Sequence, residues 1–182
     1  MISRLLSVLA LVTPYALAAG PGPPLSVCEL IANRVKYNRH MVAVRAVVAP
    51  GGHGPYLTPL DECAYRLVTR GVVWPNIISL VCPNNQSPDV NDHAPFKLDR
   101  RAIEAEEAHV RAAGYELGLD VEVATYVGLF ETHLDLEKRV SPDIPGALRV
   151  GFGPAGLDAP AQLVIKTVKD VSVIHARKQG EK

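Results

Sequence analysis

The residues able to do chemistry are scattered along this chain of 182 residues, and their spacing excludes more than it assigns. Six histidines stand at His40, His53, His93, His109, His133 and His175. No two form H-x-H or H-x-x-x-H, the short spacings by which one rigid element offers two ligands to a metal. Asp92-His93 and His133-x-Asp135 come nearest, and both read as solvated loop pairs. No G-x-S-x-G elbow presents a serine nucleophile. Cys82 ends an apolar run with no base that can be named beside it, which suits a buried or bonded sulfur better than a reactive thiolate. Glu104, Glu106 and Glu107 cluster on one helical stretch but cannot all face one pocket, so they read as a solvated face. The expectation is therefore no catalytic residue, no metal and no cofactor.

The stretch VAPGGHGPYLT, Val48 to Thr58, sets three glycines and two prolines around His53. A phosphate loop needs G-x-x-x-x-G-K-[ST] running into a helix, whose free N–H groups meet the anion. Neither a lysine nor a helix follows here, and Gly52, Gly54 and Tyr56 do not complete a dinucleotide fingerprint. The stretch reads as a turn between strands, with glycines that accept positive φ.

Residues 1–18 have the layout of a secretory signal peptide. Arg4 precedes the apolar run Leu5 to Val12, and Ala16-Leu17-Ala18 fits the cleavage pattern. The run is too short for a membrane span, which takes ~20 apolar residues, and no later segment is long enough. Residues 19–24 form a Pro/Gly-rich entry, and 25–182 are expected to form one domain of ordinary size. The whole chain has 19 Lys and Arg against 19 Asp and Glu, so it lacks the basic footprint of a nucleic-acid binder. Export permits a disulfide among the three cysteines. Of the three pairings Cys28–Cys63 is favoured; it would tie an N-terminal helix to the rest of the domain. Asn85-Gln86-Ser87 fits a glycosylation sequon, weakened by Pro88.

The elements that must position these residues follow from periodicity. Ser26 can cap a short helix with Glu29 completing a capping box, and Val27, Leu30 and Ile31 form its apolar stripe. Tyr37 to His40 reads as a turn. Val42, Val44, Ala46 and Val48 then alternate as a strand. Tyr56 to Thr58 and Asn76 to Cys82 are the second and third strands. Asp99 can cap the clearest helix, with Ile103 and Val110 on one face and Gly114 at its stop. Val121 to Phe130 is the fourth strand and Ala161 to Val173 the last. Thr132 to Pro160 reads as a long loop, with a short strand at Leu148 to Val150. A mainly β chain of five strands, with a helix between the third and fourth, has the order of an OB-like barrel, a partly open Greek key.

The stretch VCELIANRVKYNRHMVAVRAVV resembles the opening of a family of small exported bacterial proteins of uncharacterised function. The matching residues are Cys28, Leu30, Tyr37, Val42 and Val44, and GFGPAG with AQLVIKTVKDV resembles the family's closing turn and last strand. Two departures stand out. Arg39-His40 replaces the family's Gly-Lys, and Pro154 or Ala155 takes the place of a histidine in the late turn. The resemblance implies a fold and an exported location, and no activity.

In OB-folds the first inter-strand loop and the loop between strands four and five frame the usual ligand face. Here these are Gly51–Pro55 and Thr132–Pro160. His53, Tyr56, Trp74, Tyr126 and Arg149 are the candidate ligand face, with a sugar preferred to a base as the stacked group. The expected function is an exported binding or interaction module of the cell envelope, secreted or periplasmic, for an unknown ligand or protein. A small metal-dependent or hydrolytic enzyme and a scaffold without a small ligand are the alternatives.

Overall fold

The structure is a computed structural model that describes residues 22–50, 54–69, 71–83, 94–134, 136, 139–140, 148–149, 151–153 and 158–175. The expected leader and the sequon lie outside the described residues. The chain begins with β1 (Leu25–Ser26), α1 (Val27–Ala32) and α2 (Arg34–Tyr37). Then come β2 (His40–Ala49), β3 (Tyr56–Thr58), β4 (Val68–Thr69), β5 (Val72–Val73) and β6 (Ile78–Val81). Helix α3 (Arg100–Ala112) precedes β7 (Val121–Thr132), β8 (Arg139–Val140), β9 (Leu148–Arg149) and β10 (Ala161–Ile174).

Five strands close a barrel in the order β2-β3-β6-β10-β7, and β7 pairs back onto β2. All of these pairings are antiparallel except β6 with β10, which run parallel. With α3 between the third and fourth barrel strands, the expected OB-like order is present. Strand β2 gives one edge to β7 from His40 to Val48 and divides the other between β1 at Val44–Arg45 and β3 at Val47–Ala49. β1 thus occupies a stretch of edge that the short β3 cannot reach.

The alternation read in β2 sends Val42, Val44 and Ala46 into the core, where they meet Ala124, Tyr126 and Phe130 of β7 and Leu163, Ile165 and Val168 of β10. Register shifts between Ile165 and Thr167 and between Lys169 and Ser172 bend β10 as it follows β7. Gly128 sits where these strands come closest: a Cβ there would lie 2.2 Å from the Val164 carbonyl oxygen.

Helix α1 closes part of the barrel. The Ser26 hydroxyl accepts from the Glu29 N–H at 3.1 Å, while the Glu29 carboxylate accepts from the Ser26 N–H at 2.8 Å. This is the expected capping box, and it aims Val27, Leu30 and Ile31 into the core. Cys28 is bonded to Cys63 in the β3–β6 connection, with their Cα atoms 5.5 Å apart. Closing a loop of this length contributes on the order of 3–4 kcal/mol in the chain-entropy account. Of the stretch read as a turn from Tyr37 to His40, Asn38 and Arg39 form it, with φ 60° at Arg39, while Tyr37 ends α2 and His40 begins β2. Among the described residues no helix is long and apolar enough to cross a membrane.

Gly128→Ala must push two ladder strands apart, because the obstructing atom belongs to the backbone. We expect a loss on the order of 3 kcal/mol, read as a lower denaturant midpoint at unchanged slope. A variant as stable as the parent would contradict the close approach.

Candidate functional site

The structure does not assemble the five expected ligand-face residues into one surface. Trp74 is 2% exposed and Tyr126 4%, and both rings belong to the core. The Trp74 indole N–H donates to the Thr69 hydroxyl at 2.7 Å, which joins β5's exit to β4. Tyr56 is half-buried in β3, opposite Ala49. Arg149 pairs in register with Arg139, but its side chain and all of His53 lie outside the described residues. Asp92-His93 and Asp135 also lie outside them. The His133 ring stacks on Phe152 with centroids 4.3 Å apart. The two loops expected to frame a ligand leave opposite ends of the β2–β7 ladder, since Val48 faces Glu122 and His40 faces Phe130. At ~3.4 Å per residue these exits are on the order of 25–30 Å apart, but the returning stems are close: Tyr56 and Gln162 both pair with Ser79, which sets them about 10 Å apart across one strand.

Two other places carry chemistry. The first is an open recess of about 420 Å³ in the β3–β6 connection, lined by Arg66, Val73, Trp74, Pro75 and Asn76. The β4–β5 ladder and the Trp74 N–H to Leu67 carbonyl bond (2.9 Å) hold its rim. The Asn76 amide donates to the Tyr65 carbonyl at 3.1 Å. Its own oxygen is buried and accepts no hydrogen bond among the described residues. An unsatisfied buried acceptor costs ~1–3 kcal/mol.

The second place is the end of the barrel under α3. Glu106 is the one buried residue of that helix. The Tyr126 hydroxyl donates to its carboxyl, and the carboxyl is also hydrogen-bonded to that of Glu122 on β7. Burial first, and the neighbouring Glu122 and Glu107 after it, push Glu106 up to about 7, against the lowering effect of the Tyr126 bond. Burial raises Glu122 as well, while its bond to Glu106 lowers it. Glu106 therefore holds the shared proton and Glu122 the charge. Burial pushes the Tyr126 phenol up, and it stays a donor. Burial, then Glu106 and Glu107, push up the thiol of Cys82, a free and half-buried cysteine at the end of β6.

This cluster corrects one expectation. Glu104 and Glu107 are exposed as a solvated face requires, but Glu106 is buried at 9% exposure. The signal lay in the spacing: Glu106 is three residues after Ile103 and four before Val110, which places it on the apolar stripe. Among the described residues no group of three His, Cys, Asp or Glu side chains is arranged to hold a metal ion.

Comparison of the chain with protein-family models, with curated proteins and with solved structures found no match.

The carboxyls act on stability in opposite directions. The capping box holds Glu29 below its ordinary range, so its contribution is present above that range and lost as pH falls. Glu106 is raised, so its contribution is full below the ordinary carboxylate range and lost as pH climbs through about 7. Unfolding free energy should thus peak at mildly acid pH and decline toward pH ~8. Urea melts across that range test this, and stability that climbs steadily from pH ~5 to ~8 would contradict the burial of Glu106.

Proposed function

We propose that the chain is an exported binding module of the cell envelope, and that the recess beside Trp74 takes a saccharide. The observation that carries this reading is the recess itself, which sets the polar side chains of Arg66 and Asn76 beside the exposed Val73 and Pro75. Arg66 supplies a fan of N–H donors at the rim, and the exposed Val73 and Pro75 supply the apolar surface on which a ring's C–H face rests. The Cys28–Cys63 disulfide and the signal-peptide layout of residues 1–18 support export.

The buried carboxyl pair favours a second reading, a small hydrolase, because a glutamate raised to about 7 is the signature of a general acid. Geometry weighs against it. Glu106 and Glu122 bond directly to each other, whereas carboxyls that cleave a glycosidic bond stand at least ~5 Å apart to admit it.

The test is an amide NMR titration of the chain from Ala19 to Lys182 with neutral and acidic oligosaccharides. Shifts should cluster at residues 66 and 73–76, and Asn76→Ala should weaken binding roughly 3–10-fold with the fold intact. Shifts confined to another surface, or no binding by any saccharide, would overturn the recess as the site and favour a protein partner or a scaffold role.

A further inference from the structure

Most helices bury an apolar stripe, and α3 buries a carboxyl at its deepest point. Ala102 and Ile103 are only partly buried against the core, while Glu106 is the most buried residue of the helix. The N-terminal end of the helix is fastened independently. The Asp99 N–H donates to the Lys166 carbonyl at 2.7 Å, and its carboxylate accepts from the Thr167 hydroxyl at 3.2 Å. Beyond that clamp, the helix rests on Ala102 and Ile103 against the core and on the contact of Glu106 with Tyr126 and Glu122.

What surrounds this contact is apolar or acidic. Residues directly opposed in an antiparallel ladder share a face. Glu122 is opposed by Val48 and Val173, and Tyr126 by Val44 and Val168. From β6 comes Cys82, and from α3 itself the exposed Glu107, with exposed His109 one turn on. The charged side chains of β10, Lys166, Lys169 and Asp170, are exposed. Arg45 of β2 lies opposite Thr125, on the other face of the sheet, and spends its guanidinium on the Asp170 carbonyl, the Thr125 hydroxyl and Ser172. Among the described residues no Lys or Arg side chain bonds the pair, and the nearby His175 ring is held by Asp120 at 3.1 Å. Two carboxylates in contact without a cation repel each other, and a shared proton converts the repulsion into a hydrogen bond.

We propose that the Glu106–Glu122 carboxyl pair is a proton latch: with one proton shared, α3 is seated over the barrel end, and loss of that proton releases the helix. The device would let a protein exported to a compartment of variable pH change its surface without unfolding its barrel. It is independent of the recess, which lies in the β3–β6 connection.

The experiment is hydrogen exchange of the full disulfide-bonded chain at pH ~5.5 and ~8, with intrinsic rates divided out. Amides of Arg100–Ala112 should lose at least ~10-fold more protection at the higher pH than those of β2 and β7. Glu106→Gln keeps a donor to Glu122 without a titrating proton, and it should abolish the difference. Glu122→Gln gives an ionised Glu106 a neutral amide donor and should abolish it too. Protection of α3 that follows the barrel at both pH values in the parent chain would overturn the latch. So would a full-sized loss that persists in either variant. The parent measurement decides alone if neither variant folds.

Discussion

Tyr126 carries a hydroxyl into the closed end of a five-stranded barrel, and the organisation of that end follows from the need to satisfy it. The ring is 4% exposed and packs with Phe130, Val44 and Val168. Burying a hydroxyl without a partner costs more than the burial of the ring can comfortably offset. Its partner cannot come from β2 or β10, which place valines opposite it. The partner comes from α3, and that is why an otherwise surface helix carries Glu106 on its inner face. Once Glu106 is there, Glu122 on the same face of β7 becomes its neighbour, and the pair must share a proton.

Barrel closure makes this arrangement rigid. β7 is paired along both edges, with β2 and with β10, so its inward residues have no freedom to turn away. Gly128 lets β10 approach at the centre of the strand, and the bulges in β10 wrap it around the end where α3 docks. The opposite end is built differently. Helix α1 and the disulfide to Cys63 anchor the β3–β6 connection, and the Thr69 hydroxyl donates to the Leu136 carbonyl at 3.4 Å. The recess with Arg66 and Asn76 belongs to that second assembly. One end of the molecule is thus organised by a titratable contact and the other by covalent and apolar ones.

Much of this was legible in the residues. The alternation Val42, Val44, Ala46 marks β2 because one of its faces is core, and Ser26, Glu29 and Asp99 mark helix starts because their side chains complete backbone groups at once. What was not legible has physical reasons. β7 is buried on both faces from Val123 to Gly128, so alternation could not tell which of its residues point inward. Tyr126 and Trp74 were read as stacking surfaces because an aromatic type is equally suited to core and to ligand. The β4–β5 hairpin has two-residue strands whose Val68 and Val73 are exposed, leaving no periodic signal beyond Gly71 at φ 79°. Glu106 was legible only by trusting spacing over residue type.

The most direct test of this account is a carboxyl-carbon NMR titration of the glutamates in the parent chain. The account predicts that Glu106 titrates near pH 7, and that the Glu122 resonance responds in the same pH interval because the two share one proton. Two independent titrations in the ordinary range of about 4–5 would show two solvated carboxylates. The buried contact beneath α3, and the organisation built on it, would then be wrong.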